Sequence, residues 1–591
     1  MSPPHKSNSA AFAVARSLFA TGCVLLSVQL AWAQDVRVRV QIEGLSKTLQ
    51  ANVETVAAIT RIKKAPPAEI ERLHRQATTE IETALQPFGY YRPQIYAELI
   101  KGDRTWTARY EVDPGPPLLL RRVDVRVLGE GSRDSALLEP VEGFPLTTGD
   151  TLHHAAYEEG RKALWTRAAE RGYLDAAFDT TEIRIDLAAY TSEIVLHLAT
   201  GPRFLFGPLT VHQTIVDTVM IMGHIPFKQG DSLDLKMIQK MKGELAQAPY
   251  FGRSEVELRR EDADGLEVPI DVTLTARKRQ RYEIGAGYGT DTGIRGRLEA
   301  RFRLLNRKGH NATIRLDASQ IERTLTMQYQ IPPPYPKTAT WSAIIRAGDF
   351  SPNWSQSTRL AFGINRSQAL LTGRGMASLS IEGDAFEIAS TKDTSLLLIP
   401  SGDWLRLRTN NIMFPSRGLS TRLTARGSHD AVLSTVSFIQ ISAEAKATYG
   451  FLPSARLLAR GQMAYTWTDN FNGLPPDIRF VTGGSQTVRG YDYQTLGPRD
   501  AAGQLVGGPA LLIGSVEVDY LPVKKAGQWG LAVFVDTGNA LENFRNAHLA
   551  VGAGFGLRWV SPVGMLRLDL AWAMSREGRP TIVHFNMGPY L

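Results

Sequence analysis

From Tyr282 to Leu591, a stretch of 310 residues, polarity switches at nearly every step rather than in blocks. Tyr282, Ile284, Ala286 and Tyr288 fall on one side of an extended chain, and Gly285, Gly287 and Gly289 on the other. Val551, Ala553, Phe555, Leu557 and Trp559 alternate in the same way with Gly552, Gly554, Gly556 and Arg558. Leu566, Leu568, Leu570 and Trp572 alternate with Arg567, Asp569 and Ala571. Successive side chains of a strand point to opposite faces, so these segments read as strands with one apolar face and one small or polar face. At roughly ten residues per strand plus turns, the region predicts about 16 antiparallel strands closed into a transmembrane β-barrel. Its apolar sets face lipid, its charges face a wet lumen, and inward glycines let the wall approach other segments closely.

The half before the barrel has a different rhythm. Ile70, Leu73, Ala77, Ile81 and Leu85 recur at intervals of three and four, as do Met237, Ile238, Met241 and Leu245, which places each set on one face of a helix. Ile183, Ile185 and Leu187 share one strand face against Glu182, Arg184 and Asp186, and Ile194, Leu196 and Leu198 share another. A unit recurs about every 80 residues. Its marker is a Gly-aromatic turn after the helix: Phe88-Gly89-Tyr90-Tyr91, Arg171-Gly172-Tyr173-Leu174 and Tyr250-Phe251-Gly252. Gly149-Asp150-Thr151-Leu152 returns as Gly230-Asp231-Ser232-Leu233, whose Asp-Thr and Asp-Ser pairs suit helix N-caps. Three small α+β units result, each a sheet covered by helices.

Composition changes this picture little. A hydrophobic share of 43% with 21% charged residues fits packed domains and excludes a disordered chain. The first 33 residues read as an export signal: Lys6 and Arg16 precede an uncharged stretch from Ser17 to Ala33 that ends in the A-x-A-like site Ala31-Trp32-Ala33. Ala20-Thr21-Gly22-Cys23 resembles a lipoprotein cleavage box, but the mostly apolar stretch runs on for ten positions beyond it, which favours cleavage before Gln34. Cys23 is the only cysteine, so the mature chain has no thiol chemistry. The net charge of +8 is too small and too dispersed for a nucleic-acid partner. Beyond the leader no uncharged apolar run approaches the ~18 residues that a membrane-crossing helix needs.

No catalytic constellation is present. Gly285-Ala286-Gly287-Tyr288-Gly289 has strand period, not the spacing of a dinucleotide-binding turn. Gly483-Gly484-Ser485-Gln486-Thr487 lacks the closing glycine of a hydrolase elbow. His153-His154 reads as a helix cap rather than a metal site. The chain is expected to hold no metal, to need no cofactor and not to be an enzyme.

The most specific segment is Pro475-Pro476-Asp477-Ile478-Arg479-Phe480, followed by Gly483-Gly484 and Val488-Arg489-Gly490-Tyr491. With Phe414-Pro415-Ser416-Arg417-Gly418, Gly514-Ser515-Val516-Glu517, Leu521-Pro522, Phe534-Val535-Asp536-Thr537-Gly538 and the run from Gly556 to Gly564, it resembles the POTRA-barrel superfamily of BamA-like, TamA-like and two-partner secretion proteins. The resemblance implies a multi-domain chain: three α+β POTRA-like periplasmic domains at 34–117, 118–203 and 204–279, then an outer-membrane barrel at 280–591. The count of three, the start Gly287-Tyr288-Gly289-Thr290-Asp291 and the ending Gly588-Pro589-Tyr590-Leu591 resemble the TamA branch, the outer-membrane subunits of the translocation and assembly module. The final Leu591 departs from the terminal aromatic residue usual in outer-membrane insertion signals.

By that resemblance Val488, Arg489, Gly490 and Tyr491 lie on a loop folded into the lumen, where Arg489 meets the acids Glu517 and Asp536. A lateral seam is implied between the first strand (Tyr282, Ile284, Ala286, Tyr288) and the last (Val583, Phe585, Met587), with pairing weakened toward Gly588-Pro589. The implied function is insertion or translocation of autotransporters and other unfolded outer-membrane protein clients, together with a TamB-like inner-membrane-anchored partner. Arg277-Lys278-Arg279-Gln280-Arg281, where the last soluble unit meets the barrel, reads either as a contact for outer-membrane lipid headgroups or as a solvated linker. The alternative is a two-partner-secretion-type pore for a dedicated exoprotein.

Overall fold

The structure is a computed structural model that describes residues 35–333, 339–411, 415–522, 528–561 and 564–587. The expected leader with Cys23, and the motif residues Phe414, Pro562, Val563 and 588–591, lie outside the described residues. The chain divides into two compact units, one ending at Arg203 and one beginning at Phe204.

The first unit holds two domains, the second of β-α-α-β-β order and the first with a short extra strand between its helices. In the first, β1 (Val36–Glu43), α1 (Lys47–Val56), the short β2 (Lys64–Ala65), α2 (Pro67–Leu85), β3 (Gln94–Ile100) and β4 (Thr105–Asp113) form a sheet of order β2-β1-β4-β3 under two helices. The stripe Ile70, Leu73, Ala77, Ile81 and Leu85 is fully turned inward. It packs with the inward face of β4, Ala108, Tyr110 and Val112. In the second domain, β5 (Leu119–Leu128), α3 (Ser135–Glu142), α4 (His154–Glu170), β6 (Ala177–Asp186) and β7 (Thr191–Ala199) give the order β5-β7-β6. Ile194, Leu196 and Leu198 on central β7 are buried, whereas Ile185 is 36% and Leu187 49% exposed. Alternation identifies a shared face, but β6 is an edge strand and its far end runs past the helical cover.

The second unit opens with a third such domain: β8 (Leu205–His212), α5 (Thr218–Met222), α6 (Leu235–Gln247), β9 (Phe251–Leu258) and β10 (Glu267–Ala276), in the order β8-β10-β9. On α6, Ile238, Met241 and Leu245 are buried while Met237 lies exposed at the margin of the stripe. The expected N-caps are displaced by a few residues. Asp150 accepts from the Thr147 N–H at 2.7 Å and Asp231 from the Lys228 N–H at 2.8 Å, so both close tight turns. The caps are His153, whose Nδ1 accepts from the Ala156 N–H at 3.2 Å, and Asp234, which accepts from the Lys236 N–H at 2.8 Å. Each caps because it immediately precedes the first helical residue.

Sixteen antiparallel strands follow in strict neighbour order. They are β11 (Gln280–Gly289), β12 (Gly293–Phe302), β13 (Asn311–Ala318), β14 (Glu322–Ile331), β15 (Thr340–Phe350), β16 (Ser355–Leu370), β17 (Gly373–Ile388) and β18 (Thr391–Thr409). The rest are β19 (Arg417–Ser428), β20 (Phe438–Leu452), β21 (Ala455–Thr468), β22 (Ala510–Tyr520), β23 (Gln528–Leu541), β24 (Ala550–Ser561), β25 (Gly564–Ala573) and β26 (Thr581–Met587). The sheet curls into a nearly closed barrel whose two edges, β11 and β26, face each other. Its outward face is apolar: Ile284 is 84% exposed, and Leu360, Ile439, Val516 and Phe555 are exposed beside it. Water would not tolerate that continuous band, and lipid does. Among the described residues no helix is long and apolar enough to cross a membrane.

Candidate functional site

Residues 469–509, between β21 and β22, turn back into the barrel and line its interior. Three anchors hold the segment. First, Leu474 and Ile478 pack against the inward Leu397, Ile399, Val436 and Phe438, and Asp477 pairs with Arg359 on β16 at 2.7 Å. Second, Arg479 donates to the carbonyls of Asn472 (2.6 Å), Leu474 (2.8 Å) and Val506 (3.1 Å), so one cation gathers three turns of the same loop. Five-donor planar geometry is what suits arginine to that task.

The third anchor is Arg489, buried with its neighbours Val488 and Tyr491. Its Nε and Nη2 donate to the two oxygens of Asp536 at 2.7 and 2.9 Å, a bidentate fork. Its Nη1 donates to Glu517 at 2.6 Å and to Asp569 at 3.2 Å. The guanidinium lies 3.4 Å over the Phe534 ring, which adds a cation–π contact. The structure thus brings Arg489, Glu517 and Asp536 together, with Asp569 as a third acid.

A desolvated carboxylate is costly unless every oxygen finds a donor, and further cations supply donors here. Arg558 on β24 donates to Glu517 (2.7 Å) and Asp569 (2.5 Å) and lies 3.3 Å from Asp519. Arg456 on β21 donates to Asp519 at 2.7 Å. Ser515 donates its hydroxyl to Asp536 at 2.6 Å. Asp519, Arg456, Arg558 and Asp569 were not singled out from sequence as partners of Arg489. The inward face of Arg558 and Asp569 was legible from alternation, but which inward side chains share a level depends on the register between strands.

Backbone contact depends on two glycines. Gly490 has φ +93°, and a Cβ there would come within 2.7 Å of the Trp572 carbonyl carbon. A Cβ at Gly552 would lie 1.8 Å from the Arg489 carbonyl oxygen, so here the loop backbone presses directly on the wall with no side chain between them.

The seam differs from its expected form. Tyr282, Ile284, Ala286 and Tyr288 on β11 are exposed outward, as is Val583 on β26, while Phe585 and Met587 are half-buried. The Tyr288 and Phe585 rings stand 6.3 Å apart, and the Phe585 N–H donates to the Thr290 hydroxyl at 3.3 Å. Among the described residues no hydrogen-bonded ladder joins β11 to β26. Full pairing of Tyr282–Tyr288 with Thr581–Met587 is therefore not formed. The Phe585 donor goes to a side chain instead of a ladder, and a strand with glycine at 285, 287 and 289 has little cross-strand packing to offer.

The chain thus holds α/β domains followed by a nearly closed 16-stranded barrel, with a loop clamped on its inner wall. Residues 305–589 match the Omp85 superfamily domain, and residues 39–114 match the first POTRA domain of the TamA type. BamA of Nitratidesulfovibrio vulgaris is 29% identical over 165 residues, covering 26% of this chain and 20% of that protein. BamA of Neorickettsia risticii is 23% identical over 352 residues, covering 54% and 46%. The chain spans less than half the length of these curated relatives. The crystal structure of Haemophilus ducreyi BamA lacking POTRA domains 1–3 superposes with a TM-score of 0.67 at 14% identity, over 79% of this chain and 99% of that one, a likeness of fold.

Proposed function

We propose that this chain is an outer-membrane assembly factor of the TamA type, a non-enzymatic protein that needs no cofactor. It inserts or translocates autotransporters and other outer-membrane protein clients by strand templating at the β11/β26 seam. Its N-terminal domains stand in the periplasm and dock a TamB-like, inner-membrane-anchored partner, and Arg277–Arg281 meets lipid. The observation that carries the reading is a pair of edge strands without a shared ladder, beside a lumen occupied by a clamped loop. Unpaired N–H and C=O groups template an incoming strand, and a filled lumen disfavours a permanent central route, as the exoprotein pore would need. The TamA-type first domain supports the choice of branch.

The test is to lock the seam. Tyr288→Cys and Phe585→Cys are combined with Cys23→Ser, which removes the only native cysteine. Oxidation is expected to stop assembly of a co-reconstituted autotransporter, and reduction to restore it. Undiminished assembly by a verifiably crosslinked barrel would overturn lateral templating and favour the central route.

A further inference from the structure

Where the first and last barrel strands meet, the inward side of the seam is not empty. Asp291 lies in the turn that follows β11, and His584 and Asn586 point inward from β26. One short piece of the inward loop touches all three. Ser485 donates its N–H and its hydroxyl to Asp291 Oδ2, at 2.9 and 2.6 Å. Asn586 Nδ2 donates to the Ser485 hydroxyl at 3.4 Å. Five residues on, the Gly490 N–H donates to His584 Nε2 at 3.0 Å.

The edges do not make the same bonds to each other. His584 Nε2 accepts from a backbone N–H, so in the neutral ring the proton sits on Nδ1. That Nδ1 lies 3.8 Å from Asp291 Oδ1 and, among the described residues, has no hydrogen-bond partner. The gap is too long for a hydrogen bond, although His584 is buried and Asp291 only 11% exposed. Among the described residues, the direct hydrogen bond across the seam is the one from Phe585 to Thr290. Indirect links run through the loop, with Ser485 bonded to Asp291 on one edge and to Asn586 on the other, and Gly490 bonded to His584.

Arg489 is in the same segment and is clamped to β22, β23 and β25. β26 is laddered to β25 and so belongs to the clamped side. Among the described residues, the polar tie from this loop segment to the β11 turn is Ser485 to Asp291. We infer that Ser485–Gly490 is a staple across the seam, and that Asp291, Ser485, His584 and Asn586 are positioning residues that set how readily the first strand parts from the last. Its bearing on client assembly rests on the lateral-seam reading above. The geometry does not depend on it.

The experiment uses the full chain in lipid vesicles, carrying Cys23→Ser, Tyr288→Cys and Phe585→Cys, with the rate of disulfide formation as the measure of seam closure. Protease cleavage at Arg479 and Arg489 reports whether the loop is seated. Asp291→Ala is expected to slow crosslinking about tenfold, the effect of losing hydrogen bonds to a charged acceptor, while the loop stays protected. Asp291→Asn keeps an acceptor for both Ser485 donors and should recover most of the rate. Arg489→His or any variant that unseats the loop should slow crosslinking as well. Unchanged crosslinking in Asp291→Ala, or an unseated loop with an unchanged seam rate, would overturn the staple. Should Asp291→Ala fail to fold, Ser485→Ala gives the same test with a smaller slowing. Neither readout needs a client. A slowed seam with unaltered client assembly would count against lateral templating and leave the staple standing.

Discussion

The two walls that flank the seam contain the same chemistry at different depths. On the C-terminal side, Arg489, Arg558 and Arg456 meet Glu517, Asp519, Asp536 and Asp569 with side chains at most 8% exposed. On the N-terminal side, Arg297 pairs with Asp317 at 2.5 Å while 59% exposed, and Glu299 is shared by Arg301 and Arg315, themselves 43% and 38% exposed. Exposed pairs contribute about 0–1 kcal/mol, whereas breaking a buried pair by removing one partner costs about 3–5 kcal/mol. One flank is therefore rigid and the other compliant. On the lateral-seam reading proposed above, opening is expected by movement of β11 and β12, with β24 to β26 as the fixed side.

The sharpest way to break this asymmetry is Arg489→Ala. It leaves Asp536 and part of Glu517 and Asp569 as uncompensated buried charge, so a loss of about 3–5 kcal/mol is expected. The check is the denaturant midpoint of the folded barrel, read from its heat-modifiable mobility on gels. Hydrogen exchange should also rise in β22 to β25 until it matches β11 to β13. If those strands kept their protection, the rigidity would come from the ladders alone and not from the clamp.

Gly552→Ala approaches the same contact without altering a charge. Its Cβ would lie 1.8 Å from the Arg489 carbonyl oxygen, so wall or loop must shift. Overpacking of this kind costs about 1–3 kcal/mol. The expected result is a lower midpoint together with protease cleavage within 475–491, while Gly285→Ala on the compliant flank, where the nearest side-chain atom would be 3.7 Å away, changes neither.

How much of this was legible in the chain follows from the same depth argument. Alternation is local, so it reported which residues of β11, β24 and β25 face inward and how many strands the barrel region could hold. Arg489, Glu517 and Asp536 could be named because they lie in recognisable motifs. Arg558 and Asp569 were on the correct face, but their meeting depends on the Arg558↔Arg567 and Gly556↔Asp569 register, which no single strand encodes. The incomplete seam was hidden for a related reason. A strand's pattern says that it can pair, and not that its N–H has found a threonine hydroxyl instead. Ile185, on an edge strand, shows the same limit in the soluble domains.

The smallest expected effect tests the compliant wall directly. Arg297 and Asp317 are register partners on β12 and β13, close enough for a good ion pair yet open to water. Water already solvates each group well, so holding them together gains little over leaving them apart. Arg297→Ala is expected to change barrel stability by less than about 1 kcal/mol. Raising salt to about 1 M, where the screening length falls to about 3 Å, should remove what difference there is. Arg489→Ala measured in the same series should keep most of its effect, because salt does not reach a buried pair. Equal salt sensitivity in the two variants would mean that water penetrates both walls alike, and the rigid flank would lose its physical basis.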